Sequence, residues 1–122
     1  MLIDILKPDF EFKDDRGTLT QLVRAGFNQV NVITSVEDSL RGGHYHKVNE
    51  EAFYIINGEL ELEVYKLNEK TNQEKYTFGP GDMFQIPRDI VHSFYFKKPT
   101  LLVSMYSDGV ELPNGEKDII GI

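Results

Sequence analysis

Residues 59–64 read Glu-Leu-Glu-Leu-Glu-Val, a strict alternation of acid and aliphatic. On a β-strand successive side chains point to opposite faces, so Leu60, Leu62 and Val64 would face a core and the glutamates water. A helix would scatter the same residues around its circumference. Asn57-Gly58, just ahead, predicts a hairpin turn. The rest of the chain repeats the theme. Gln29–Ser35 reads as a strand, residues 10–22 as a hairpin around Asp14-Asp15-Arg16-Gly17, and residues 83–87, 94–96 and 101–106 as further strands. Residues 66–75 read as a polar loop, and Gly79-Pro80-Gly81-Asp82 and Lys97-Lys98-Pro99 as turns. No long stretch carries the 3.6-residue apolar period of a helix. Short strands divided by Gly/Pro turns predict an all-β sandwich or barrel, formed by one domain over residues 1–122.

Hydrophobic residues make up 40% of the chain, enough for a core. Asp and Glu outnumber Lys and Arg by 20 to 13, and the net charge of -7 argues against a general nucleic-acid surface. It leaves room for a phosphate-bearing ligand, because a pocket responds to local charge. Arg16, Arg24, Arg41, Lys47 and Arg88 are the cations nearest the stretches of interest. Cysteine is absent, so there is no disulfide or thiolate, and any metal must be held by nitrogen and oxygen. Asp4 and Lys7 interrupt the apolar opening, which fits neither a signal peptide nor a membrane span. A cytoplasmic protein is the default expectation.

The chemistry concentrates in residues 41–58 and 81–96. His44 and His46 are two apart and share a strand face, Glu51 follows after a short turn, and His92 lies one hairpin pair further on. Taken alone, His-x-His is equally compatible with a hydrogen-bonded pair of imidazoles. With Glu51 and His92 added, the set suits Zn, Fe, Mn, Ni or Cu, and it uses all three histidines of the chain. If the histidines point inward, Tyr45 points out. Phe53 and Ile55 then accompany Glu51 inward with Tyr54 outside, and Phe94 and Phe96 accompany His92, opposite Ser93 and Tyr95. The expected interior is apolar and aromatic with a few convergent polar groups, as in small-molecule sites.

His44, His46, four residues, Glu51, six residues and Gly58 resemble the first cupin motif, with Asp38 in place of its opening glycine. Gly81, Pro87 and His92 resemble the second, with Asp89 for a glycine and Phe96 for an asparagine. The resemblance implies a jelly-roll β-barrel with its pocket inside. It implies a divalent transition metal (Zn, Fe, Mn or Ni) on His44, His46, Glu51 and His92 or, in metal-free members, His44 or His46 as an acid–base group. A histidine bound to metal has given up the lone pair a base needs, so the base would then be a tyrosine or glutamate at the barrel mouth.

Asp15-Arg16-Gly17 and Arg41-Gly42 are similar to segments of cupins that act on nucleotide-linked 4-keto sugars. Those are 3,5-epimerases, 3,4-ketoisomerases and the cupin half of a bifunctional capsule enzyme. This second resemblance implies that Arg16 and Arg41 line a substrate pocket. The expected protein is an isomerase, epimerase or 3,4-ketoisomerase, of a nucleotide-linked 4-keto-6-deoxy sugar in surface-polysaccharide biosynthesis, and a homodimer. A metal-dependent cupin oxygenase and a sugar- or small-molecule-binding cupin without turnover are the alternatives. The arginine pair favours a phosphate-bearing ligand over an oxygenase substrate.

Overall fold

The alternation at residues 59–64 becomes an inner and an outer face: Leu60, Leu62 and Val64 are wholly buried. The computed structural model describes residues 1–122. Its strands are β1 (Asp4–Leu6), β2 (Phe10–Asp14), β3 (Gly17–Gln21), β4 (Gln29–Ser35), β5 (Ser39–Tyr45) and β6 (Glu51–Asn57). They continue with β7 (Leu60–Lys66), β8 (Glu74–Phe78), β9 (Met83–Ile86), β10 (Ile90–Phe96), β11 (Thr100–Tyr106) and β12 (Ile120–Gly121). A single 3-10 turn, Lys70–Asn72, is the only helical element, and no helix is long and apolar enough to cross a membrane.

Two antiparallel sheets face each other, ordered β1-β9-β6-β11-β4 and β12-β5-β10-β7-β8, and β2-β3 forms a separate hairpin. Phe53, Ile55, Phe84 and Leu102 from the first sheet meet Leu60, Leu62, Val64, Phe94 and Phe96 from the second. Burying each such side chain contributes about 1.5–3 kcal/mol. A smaller cluster of Ala52, Met83 and Met105 is covered by Leu22, Val23 and Phe27 from the β3–β4 connection. The architecture is the all-β jelly-roll barrel that the sequence predicts.

Three local expectations change, and one strand appears where none was expected. Asn57-Gly58 does not close a hairpin, because β6 and β7 belong to different sheets. Gly58 adopts φ +99, and a Cβ there would run into Thr100 and lie 2.5 Å from the Pro99 carbonyl oxygen. The turn is thus packed against the β10–β11 connection and hands the chain across the barrel. The polar stretch 66–75 is shorter as a loop than expected, since β8 begins at Glu74 and pairs with β7, Leu62 opposite Tyr76. The C-terminal residues, featureless in sequence, return as β12 along β5, with Ile120 opposite Tyr45 and Gly121 opposite His44. Tyr45 is therefore buried and not solvent-facing.

Candidate functional site

His44 is the penultimate residue of β5, His46 follows the strand, Glu51 opens β6 and His92 lies on β10 in register with His44. The pairing of Ser93 with Gly42 and of His92 with His44 leaves Gly43 as an extra residue, a bulge that aims the end of β5 inward. Gly42 allows it: at φ +101, a Cβ would sit 2.6 Å from the His92 carbonyl oxygen. The ring centroids lie 5.1 Å (His44–His46), 4.7 Å (His44–His92) and 5.1 Å (His46–His92) apart. One nitrogen from each ring falls within 4.8 Å of the others, so these three are the residues that could hold a metal ion. Glu51 Oε1 stands 3.1 Å from His46 Nε2 and 3.8 Å from His92 Nε2, on the edge of the same cluster.

Hydrogen bonds give each ring a different role. His92 Nδ1 donates to the Ile90 carbonyl at 3.0 Å, which leaves its buried Nε2 without a partner. Burial, reinforced by the neighbouring histidines and only partly opposed by the Ile90 bond, pushes its pKa down to about 3. His44, half-buried beside His46, is also lowered, chiefly by burial. Both are neutral imidazoles near pH 7. His46 differs. Its Nδ1 donates to the Asp118 carbonyl at 2.5 Å and its Nε2 faces Glu51. Burial disfavours its charged form, but the bonds to Glu51 and Asp118 outweigh that and raise its pKa. Burial also raises Glu51, against the pull of His46, Tyr106 and Ser104. Both shifts favour the protonated form of the group concerned. Tyr106 crosses His46 edge-on at 5.2 Å between centroids, and burial and the Glu51 charge keep it a phenol.

A cavity of about 420 Å³ opens over this cluster. His44, Glu51, His92 and Tyr106 provide its polar groups, and Ile33, Leu40, Phe53, Phe94, Phe96 and Leu102 its apolar wall. Arg41 also lines it, its guanidinium held by the Ser35 hydroxyl at 2.9 Å and the Thr34 carbonyl at 3.2 Å. A cation in a largely apolar wall suits a phosphate-bearing ligand.

The structure brings together five of the six predicted residues: His44, His46, Glu51, His92 and Arg41. Arg16 stands apart. It sits at the tip of the β2–β3 hairpin, 83% exposed and bound to Asp14, outside this cavity. Arg24 pairs with Asp9, and Arg88 with Glu50 and the Val48 carbonyl. Sequence reasoning missed Tyr106 and Asp118. For Tyr106 a signal existed, since alternation along residues 101–106 puts it on the face of Leu102 and Ser104. Asp118 lies in a tail with no strand pattern, and nothing in the sequence marked it.

A jelly-roll barrel with three imidazoles and a carboxylate gathered in its interior has the fold of the RmlC-like cupins. Within that class the chain belongs to the "Polysaccharide biosynthesis C-terminal domain" family, whose profile matches residues 12–110. No match was found among curated protein sequences. Among solved structures, the TDP-quinovose 3,4-ketoisomerase WlaRB from Campylobacter jejuni aligns with a TM-score of 0.80 and 20% identity over 98% of this chain and 92% of its own. The sugar 3,4-ketoisomerase QdtA from Thermoanaerobacterium thermosaccharolyticum, solved in complex with TDP, gives 0.73 and 19% over 87% of this chain and 80% of its own. The capsular polysaccharide assembling protein CapF from Staphylococcus aureus gives 0.69 and 20% over 93% of this chain but only 32% of CapF. At these identities the likeness is one of fold.

Proposed function

We propose that the protein is a cytoplasmic isomerase, a 3,5-epimerase or 3,4-ketoisomerase, of a nucleotide-linked 4-keto-6-deoxy sugar in surface-polysaccharide biosynthesis. One observation carries the reading: neutral imidazoles face an apolar cavity whose wall presents Arg41. The family match and the enzymes sharing the fold support it. Both reactions begin by removing the proton from the carbon beside the ketone. His44, which lines the cavity, or His46 once its Nε2 is released from Glu51, takes that proton, the C–H electron pair forms the new C=C bond, and the ketone oxygen becomes an enolate. The Tyr106 phenol, or Glu51 when protonated, lines the cavity and would neutralise the oxygen. In epimerisation the enol oxygen hands its proton back and a proton returns to the other face of the carbon; in ketoisomerisation a proton goes to the former carbonyl carbon while the hydroxyl on the neighbouring carbon gives up its own proton to become the new ketone. Arg41 is the group for the nucleotide phosphates.

The donor set also fits a divalent transition metal, since His92 Nε2 is buried without a partner. His44, His46 and His92 would hold it, with Glu51 at the edge of the cluster as the fourth ligand, and it would supply polarisation of the ketone. Proton transfer would then fall to Tyr106, which is outside the donor set.

The working unit we propose is a homodimer. Phe10, Phe12 and Leu19 on the β2–β3 hairpin are exposed, as are Val30 and Val32 on β4, the outermost strand of its sheet. Apolar residues on a detached hairpin and an unpaired edge suit a second copy. Arg16, remote from its own cavity, would then be available to the partner's.

Incubation with 4-keto-6-deoxy nucleotide sugars in deuterated water tests the chemistry. Deuterium should enter next to the ketone above the buffer rate, and Arg41→Ala should weaken nucleotide-sugar binding on the order of tenfold. No exchange with any such sugar, together with unchanged binding in Arg41→Ala, would overturn the assignment.

A further inference from the structure

Asp118 lies beyond the residues matched by the family profile, yet it is 3% exposed and heavily bonded. One carboxylate oxygen accepts the Lys47 N–H at 2.9 Å. The other accepts the Val48 N–H, the Asn49 N–H and the Asn49 side-chain amide, each at 2.9 Å. Its own N–H donates to the Val110 carbonyl at 2.8 Å. Asn49, fully buried, extends the fastening: its side-chain oxygen accepts the N–H groups of Asp108 and Gly109 at 2.8 and 2.9 Å. This network bolts the C-terminal segment to the turn between β5 and β6, the turn that carries His46 and leads into Glu51. The carboxylate does not touch His46. The main-chain carbonyl of the same residue does.

A carbonyl oxygen only accepts, so Nδ1 of His46 must carry the proton, and Nε2 is the atom turned toward Glu51. Neutral imidazole free of that constraint can shift its proton to Nε2. It would then offer the wrong nitrogen to the cluster.

We propose that Asp118 is a positioning residue for His46. By clamping the C-terminal segment onto the 47–49 backbone, it sets its own carbonyl against Nδ1 and fixes both the tautomer and the direction of the ring. Only its consequence for turnover rests on the isomerase reading; the ring geometry stands independently of it.

Histidine-labelled full-length protein, with chelator present so that no metal holds Nε2, allows a direct measurement. Two-bond 1H–15N correlation spectra should show His46 as the Nδ1–H form in the wild type. In Asp118→Ala, His46 should move to mixed tautomers, while His92, whose Nδ1 is held by Ile90, keeps its wild-type pattern. Asp118→Asn preserves shape with one fewer carboxylate oxygen. It should retain the Nδ1–H form, but with faster solvent exchange of that proton, because part of the clamp loses its acceptor. If the sugar chemistry is right, Asp118→Ala also lowers kcat on the order of tenfold with a smaller change in KM. An unchanged His46 pattern in folded Asp118→Ala overturns the proposal. Should Asp118→Ala not fold, an unchanged exchange rate in Asp118→Asn overturns it equally. Loss of the sugar reaction from the wild type leaves these spectra unaffected, so the two ideas fail separately.

Discussion

At the residue scale, the environment of His92 makes a prediction about acid. Its folded pKa, pushed down mainly by burial to about 3, lies below the ordinary imidazole value. The unfolded chain therefore takes up a proton near pH 6.5 that the folded chain refuses until about pH 3. This contribution is fully present above pH 6.5 and is lost as pH falls, by up to about 1.4 kcal/mol per pH unit. His46, whose pKa is raised, acts in the opposite sense: its stabilisation is present at low pH and lost as pH rises through its folded value. In metal-free protein, His92→Gln should make the decline in melting temperature between pH 6.5 and 4.5 shallower than in the wild type. Equal slopes would remove His92 as the source. Two other residues show how much of the site the sequence disclosed. Asp38 and Asp89, standing where the cupin motifs have glycine, adopt φ 61 and φ 65. The motif recorded a left-handed backbone, and aspartate is one of the residues that tolerates it.

At the scale of elements, the bulge in β5 matters most to the site. Gly42 and Gly43 both have positive φ, but only at Gly42 would a side chain strike the neighbouring strand. Gly43→Ala should cost about 1 kcal/mol of backbone strain. Gly42→Ala should cost more, about 2 kcal/mol or above, because the His92 main chain must also give way. Chemical denaturation of the two variants checks the order, and equal losses would show that the contact with His92 is unimportant. Strands that alternate over many residues, such as β4 and β7, were legible because the pattern is written in one segment. Asn57-Gly58 was misread because a turn dipeptide specifies local dihedral angles and not which strand its neighbours pair with. The return of β12, and with it the burial of Tyr45, was invisible for the same reason. A two-residue strand is defined by its partner, and its sequence carries no period. Asp118 acts through main-chain donors brought together by that return, so no spacing along the chain could reveal it.

At the scale of the molecule, exposed apolar residues recur on the β2–β3 hairpin and on the edge strand β4. Phe12 and Leu19 are cross-strand partners on the hairpin, and Val30 and Val32 alternate on β4. Burying them against a second copy gains hydrophobic free energy and closes an open sheet edge. A dimer of the 14.0 kDa chain is expected by light scattering at micromolar concentration, and Phe12→Asp combined with Leu19→Asp should yield a folded monomer. The arrangement also makes Arg16 testable. If the hairpin of one protomer serves the cavity of the other, Arg16→Ala and Arg41→Ala dimers are each impaired. Unfolding and refolding them together creates mixed dimers in which one cavity has both arginines. Part of the nucleotide-sugar binding should return in the mixture and not in either variant alone. A wild-type monomer would end the proposal of a dimer. A stable dimer without recovery in the mixture would leave the interface and remove Arg16 from the site.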